Sequence, residues 1–292
     1  MKTLLKLTNF QIAMQNRTPN LRCKRHKWFL EFFMKHRWIA SPLLTLLLVA
    51  CGGGPSYEPL THSAMSSGKL LSMDYGGFGL LYDCAARSAI RFEYRLEKDT
   101  GNLARPANYT FDQTLPKDCA EQTSTNSYAS VVSGWDRGHL VASNHMDFDT
   151  NYLLRANYMT NIVPQLASVN RGVWKETENI TECYRELAPI NVSGGVVYDD
   201  TKNDFFVRSH GIKSPDFFWK TLTTIDTSGH LQIISWLIPN HESLEVLDAY
   251  IVTVDQIEKL IGADLVGSKI ENELKYLKPA KSWALPKNCQ IG

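Results

Sequence analysis

Two short stretches of this chain carry residues equipped for chemistry. The first is Trp135-Asp136-Arg137-Gly138-His139-Leu140, and the second begins 31 residues after His139, where Asn170, Trp174 and Glu178 fall at i, i+4 and i+8. A neutral imidazole near its ordinary pKa takes a proton from water at physiological pH. A guanidinium is a fixed cation suited to phosphate oxygens. Amide and carboxylate oxygens suit a hard cation such as Mg²⁺, which keeps several waters when it has few protein ligands. Together these groups hold what hydrolysis of a phosphodiester needs: a base for the water, positive charge on the phosphate oxygens and help for the leaving oxygen. Each half alone is weak. An isolated histidine is most often structural, and a helix with one Trp and several polar residues is most often an ordinary amphipathic helix. Asp136 reads as a carboxylate that holds a loop or an arginine, and Gly138 as a position that admits close backbone approach.

The elements that must position these groups are legible in outline. Pro164, within Met159-Thr160-Asn161-Ile162-Val163-Pro164-Gln165, bars a helix and marks a turn. From about Ser168 the composition turns helical, which predicts one face bearing Asn170, Trp174 and Glu178. Ile90, Phe92, Tyr94 and Leu96 alternate with Arg91, Glu93 and Arg95, a period-two strand that pairs with 77–83 as a hairpin. Further strands are predicted at 190–198, 204–208, 216–225 and 230–238, the last two joined through Asp226-Thr227-Ser228-Gly229. A helix is predicted over 254–261, with Thr253 and Gln256 as a capping box and Gly262 as its stop. Residues 99–130 lack periodicity and read as a long surface loop, a kind of segment that tends to carry function. The pattern is that of an α+β domain.

Asp136-Arg137-Gly138-His139 resembles the signature of the DNA/RNA non-specific endonucleases, the ββα-metal nucleases that include endonuclease G. The resemblance extends to Asn161, Pro164-Gln165, Asn170, Trp174 and Glu178. It continues at Val192–Tyr198, Pro215–Lys220 and Trp236–Asn240, and covers roughly residues 75–265. It implies a ββα-metal fold, with a central antiparallel sheet flanked by helices and the catalytic strand-loop-helix on one side. It implies His139 as general base, Asn170 as the direct protein ligand of one Mg²⁺ (Mn²⁺ as the substitute), and Glu178 acting on that ion through water. Arg137 and Asn161 would contact or orient the phosphate, with Arg105 a further phosphate contact from the preceding loop. The substrates would be DNA and RNA, and the products would carry 5′-phosphates and 3′-hydroxyls. Thr160 stands where the family often has Ser, and Thr177 interrupts the usual apolar residue before the glutamate. His145 and Asp147, just after the signature, are placed to line the cleft but read more readily as structural or surface residues. A catalytically silent nucleic-acid-binding envelope lipoprotein on the same fold is the alternative, disfavoured because His139, Asn170 and Glu178 are all intact.

The chain has 292 residues, 43% apolar and 21% charged, within the range of ordinary globular proteins. Its net charge of +1 hides an uneven distribution: nine of the basic residues lie in 1–50, leaving about −7 for 51–292. No broad basic surface is therefore expected, and polyanion binding must rest on a local patch and a bound cation. Met34-Lys35-His36-Arg37, the apolar stretch Trp38–Ala50 and Cys51-Gly52-Gly53-Gly54 resemble a bacterial lipoprotein signal. Cys51 would then be lipidated, with Gly52 favouring the outer membrane. Residues 1–33 read as an upstream extension from a misassigned start codon or as an unusually long n-region. Residues 51–72 read as a flexible tether and 73–292 as the nuclease domain. Cys84, Cys119, Cys183 and Cys289 allow two disulfides in three pairings, and nothing in the sequence chooses among them.

Overall fold

The period-two alternation over residues 90–96 demands a strand with one buried face. The computed structural model describes residues 68–289 and 291, apart from 127, 129–132, 268 and 269. In it β1 (Leu70–Asp74), β2 (Phe78–Asp83) and β3 (Ser88–Leu96) form an antiparallel meander. Ile90, Phe92, Tyr94 and Leu96 of β3 are buried, whereas Glu93 and Arg95 are exposed. Chain pairing starts at Leu70, three residues ahead of the expected folded start at Met73, because the backbone of β1 pairs with β2 from Leu70 opposite Asp83. Cys51, the leader and the rest of the expected tether lie outside the described residues.

Two further strands, β4 (Trp135–His139) and β5 (Ile162–Leu166), pair only with each other. β6 (Ile190–Val197), β7 (Phe217–Ile225), β8 (Leu231–Pro239) and β9 (Ile251–Val252) complete an antiparallel seven-stranded sheet in the order β1-β2-β3-β6-β7-β8-β9. The helices are α1 (Thr150–Ala156), α2 (Ala167–Asn170), α3 (Val173–Arg185), α4 (Val254–Ile261) and α5 (Ala263–Val266). β7 and β8 are covered on both faces, which is why they read as nearly continuous apolar runs. Phe218, Leu222, Ile234 and Trp236 join the core beneath α3, while Trp219, Ile233 and Leu237 pack with Ile257 and Leu260 of α4. Trp174 is fully buried, its ring 6.4 Å from that of Phe92 and 5.4 Å from that of Phe218, and so fastens α3 to the sheet. Truncating a ring so placed costs about 3–5 kcal/mol. The capping box on α4 forms as expected: Gln256 donates its backbone N–H to Thr253 Oγ1 at 3.0 Å, and Gln256 Oε1 accepts from the Thr253 backbone at 2.9 Å. The mixed α+β architecture, with its large antiparallel sheet and few helices, is thus in place.

Three local expectations are corrected. Pro164 lies inside β5, not in a turn. Its backbone faces the outer edge, where Asn240 Nδ2 donates to Pro164 O at 3.3 Å and Leu166 N donates to Asn240 Oδ1 at 3.0 Å, so its missing N–H removes no bond to β4. Residues 204–208 are turns, not a strand. Phe206 is buried against Tyr128 and Trp135, and its carbonyl accepts locally from His210 and Gly211. The helix expected from Ser168 is split between α2 and α3 by Gly172, where a side chain would collide with Ser168 O.

Residues 99–126 carry no helix or strand beyond one bridge from Thr110 to Tyr158. They are held by single long-range ties: Tyr75 Oη to Asp112 Oδ2 at 2.5 Å, Gln122 Nε2 to Ile162 O at 2.6 Å, and the disulfide Cys84–Cys119. A second disulfide, Cys183–Cys289, ties α3 to the C-terminal segment. Among the described residues no helix is long and apolar enough to cross a membrane. Replacing Cys84 and Cys119 together by Ala should lower the unfolding free energy by about 2–4 kcal/mol in urea titrations. An unchanged unfolding midpoint would show that the loop is held without the bond.

Candidate active site

His139 ends β4, and its position is set from behind. Gly138 lies against Gln165, where any side chain would collide with the Gln165 amide. Trp174 Nε1 donates to His139 O at 3.3 Å, and Leu140 N donates to Asn161 O at 3.1 Å. The Asn161 side chain is fully buried and spent on backbone: Oδ1 accepts from Val141 N at 3.0 Å, and Nδ2 donates to Val141 O at 2.9 Å and Ala156 O at 2.8 Å. Asn161 therefore does not reach the phosphate side of the site as the resemblance implied. It clamps the chain that leaves His139.

The imidazole has one engaged nitrogen. Its Nε2 lies 3.2 Å from Asn157 Oδ1 and 3.2 Å from Ser143 Oγ. Asn157 Nδ2 donates to Leu153 O at 2.8 Å and Ser143 Oγ at 3.1 Å, so the amide oxygen is the atom turned to the ring. An amide oxygen only accepts, and at 3.2 Å it lies nearer than the donor Arg105 Nη2 at 3.5 Å, which puts the proton on Nε2 and leaves the Nδ1 lone pair basic. No described residue bonds Nδ1. Burial, the Arg105 guanidinium and the more distant Arg137 push the imidazole down to about 3, against the pull of the Asn157 hydrogen bond. The folded protein thus holds His139 neutral at physiological pH.

Around it opens a cleft of about 640 Å³ lined by Arg105, Tyr109, Arg137, Asn170, Lys175 and Glu178 among others. Arg105 Nη2 is 3.5 Å from His139 Nε2 and donates to Tyr109 Oη at 2.7 Å. Arg137 stacks on the Tyr109 ring, its Cζ 4.0 Å from the centroid, and donates to Thr125 O at 2.7 Å. Asn170 closes α2 across from β4. Its Nδ2 donates to Asp136 Oδ2 at 2.9 Å, while Arg171 grips the same carboxylate with two bonds of 2.8 and 2.7 Å. Partial burial lifts the Asp136 pKa, but the bonds from Arg171 and Asn170 win and hold it below the ordinary carboxylate range. Because a carboxylate only accepts, Asn170 must turn Oδ1 away from Asp136, and no described residue donates to that oxygen. Glu178, one turn along α3 from Trp174, is half-buried. Burial raises its pKa against the pull of Lys220, Lys175 and Arg105. A free amide oxygen and a carboxylate with an elevated pKa on one cleft are a donor set that fits a hard divalent cation. No group of three His, Cys, Asp or Glu occurs among the described residues, so such an ion would rely on few protein ligands.

The DNA/RNA non-specific endonuclease family matches residues 60–270. The chain belongs to that family. It is 28% identical over 181 residues to a nuclease of Nostoc sp., covering 59% of this chain and 64% of that protein. It is 25% identical over 144 residues to the mitochondrial endonuclease G of Bos taurus, covering 44% of this chain and 47% of that protein. The chain therefore spans about half to two thirds of these relatives' length. A crystal structure of the EndoG/EndoGI complex superposes with a TM-score of 0.55 at 18% identity, covering 68% of this chain and 88% of that one, which shows a shared fold.

Set against this family's signature, the structure brings His139, Arg137, Arg105, Asn170 and Glu178 to one cleft and leaves Asn161 behind it. Asp147, expected to be structural or on the surface, lines the cleft. His145 is structural: fully buried, with Nδ1 2.8 Å from Tyr94 Oη. The departure at Thr177 has a cause. Its hydroxyl accepts from buried Lys220 at 2.8 Å and donates to Trp174 O at 2.7 Å, giving the Lys220 ammonium a polar partner under the Trp174 ring. Sequence reasoning missed Asn157, Ser143 and Tyr109. Only their closeness to the signature and the length of the preceding loop hinted at them. Asn157→Leu should lower turnover by about 10–100-fold, with Ser143 unable to fix the tautomer alone. Steady-state kinetics beside a thermal melt check this, and wild-type turnover would remove Asn157 from the site.

Proposed function

We propose that this chain is a metal-dependent, sugar-non-specific endonuclease that hydrolyses DNA and RNA to 5′-phosphate ends. The observation that carries the reading is that the unengaged Nδ1 of a neutral His139 and the undonated Oδ1 of Asn170 belong to one cleft with two guanidiniums. His139 would take the proton from the attacking water through Nδ1, its tautomer held by Asn157. Arg137 and Arg105 would hold the phosphate oxygens as the charge on them grows. Mg²⁺, or Mn²⁺ in its place, held by Asn170 with Glu178 acting through water, would supply charge stabilisation for the phosphate and the leaving oxygen. These contacts address phosphate and ion and carry no base information, which supports broad sequence tolerance.

Plasmid DNA and RNA incubated with residues 51–292 should be cut in Mg²⁺ and spared in chelator. His139→Ala should abolish cutting with the melting temperature little changed, and Asn170→Ala should reduce it on the order of 100-fold or more. A well-folded protein that cuts nothing in Mg²⁺ or Mn²⁺ would falsify the reading.

The pH profile follows from the depressed His139. Protonation removes the base, so activity is held above the folded pKa and lost as pH falls through it. The part of that loss due to His139 belongs near pH 3, not near the ordinary 6.5. Arg105→Ala, by removing one of the two cations that push His139 down, should move the acid limb of kcat/KM upward. A wild-type limb already at 6.5 that ignores this substitution would contradict the assignment.

We also propose that the chain is exported and anchored to a bacterial membrane, the outer one by its Gly52, through lipid on Cys51. Support comes from the basic segment, thirteen-residue apolar stretch and small residues around the cysteine. Cys51→Ser should move the protein from the membrane to the soluble fraction. Unchanged fractionation would count against lipidation.

A further inference from the structure

The loop residue Tyr109 is absent from the residues that the family resemblance brings to this cleft, yet three of them touch it. Its hydroxyl accepts from Arg105 Nη2 at 2.7 Å, its face carries the Arg137 guanidinium at 4.0 Å, and its ring centroid lies 5.5 Å from that of His139. A phenol has one proton to donate. Here the oxygen already accepts from Arg105, and no described residue accepts the phenol proton. Two like charges are thereby held on one aromatic ring beside a neutral base. The nearby carboxylate of Asp136 is neutralised by its two bonds from Arg171. This end of the cleft therefore offers two cations and one unspent O–H, the complement of a phosphate monoanion.

We propose that Tyr109 is a direct phosphate ligand. Its hydroxyl donates to a non-bridging oxygen of the scissile phosphate while its ring keeps Arg105 and Arg137 converged on the same group. The proposal rests on the nuclease reading for the word scissile, but the anion subsite itself does not require turnover.

The test uses Tyr109→Phe, which keeps the ring face for Arg137 and removes the hydroxyl, and with it the acceptor of Arg105 Nη2. In the first arm, inorganic phosphate is titrated calorimetrically into wild-type protein and into Tyr109→Phe. Binding should weaken severalfold in the variant, and equal affinity overturns the proposal whether or not the protein is a nuclease. In the second arm, cleavage is followed at a single linkage, either all-oxygen or carrying one Rp or Sp phosphorothioate. Tyr109→Phe should lose about tenfold in kcat/KM on the oxygen substrate, the size expected for one hydrogen bond to a charged group. One of the two sulfur substitutions should then cost the variant less than it costs the wild type, because the same hydrogen bond cannot be lost twice. A residue that only props up the loop would leave both sulfur penalties unchanged, and that result overturns the proposal. Wild-type protein that binds phosphate through Tyr109 but cuts nothing sinks the nuclease reading and leaves the subsite standing. The thermal midpoint of Tyr109→Phe should match wild type within about two degrees, since no buried group is left unpaired.

Discussion

The carboxylate of Asp136 fixes the orientation of the Asn170 amide at the cleft. It lies on β4, three residues before His139, and it accepts from both Asn170 and Arg171 beyond the end of β5. An amide can present either its oxygen or its nitrogen to a cleft, and only the oxygen can meet a cation. The fixed acceptor on β4 makes that choice. Arg171 makes the choice durable, because a doubly bonded carboxylate neither swings away nor takes up a proton at moderate pH. Remove this contact and Asn170 is free to rotate at the end of a four-residue helix, with Gly172 two residues beyond it. The break between α2 and α3 then becomes intelligible. Asn170 must look back toward β4 while Trp174 and Glu178 point along α3. One straight helix gives those side chains a common axis, whereas two helices hinged at Gly172 give Asn170 its own.

Charge burial around the site follows one pattern. Asp136, Lys220, Glu178 and His139 each either take a polar partner or have their pKa displaced by burial. Asp136 has Arg171. Lys220 sits over Trp174 with Thr177 as acceptor, and burial brings its pKa down to about 8. Glu178 is raised, and His139 is lowered to about 3. The last two are the groups that a substrate and its ion would re-tune. A cation at Asn170 would draw Glu178 toward its ionised form, and a phosphate engaging Arg105 would relieve the imidazole of its largest electrostatic opponent. Binding and base strength would then be coupled through the same guanidinium.

Much of this was legible in the order of residues. Asp136-Arg137-Gly138-His139, the Trp174–Glu178 spacing, the alternating strand at 90–96 and the capping box at Thr253 each express a local rule, and each appears where that rule puts it. The helix expected to carry Asn170 with Trp174 and Glu178 is broken locally at Gly172, and the other readings that failed were those decided by distant partners. Pro164 obeys the rule against helices but sits in a strand because Asn240, 76 residues away, takes the edge that proline cannot serve as donor. Residues 204–208 have a strand's composition, yet Phe206 fills the space beside Tyr128 and Trp135 and its carbonyl is taken locally by His210 and Gly211. Asn161 carries a family signature, and only its hydrogen bonds reveal that the signature marks a backbone clamp. Tyr109 and Asn157 could not be found from spacing at all, because the ring and amide that matter to His139 arrive from 30 residues before it and 18 residues after it.

The acidic balance of residues 51–292 acquires a physical meaning from this arrangement. A polyanion approaching a surface of about −7 meets repulsion, but at physiological salt that repulsion fades beyond roughly 8 Å. Inside the cleft the relevant charges are few and close. Arg105 and Arg137 are held on one ring, Lys175 lines the wall, and the acid nearest His139 in sequence, Asp136, is already paired. A substrate gripped this way would be held at one phosphate, not along a groove. That favours short, salt-tolerant contact and a weak hold on product, whereas a broad basic face would bind tightly, depend steeply on salt and release slowly. Concentrating recognition on one phosphate would make turnover depend on the geometry of a handful of side chains and little on the field of the whole domain.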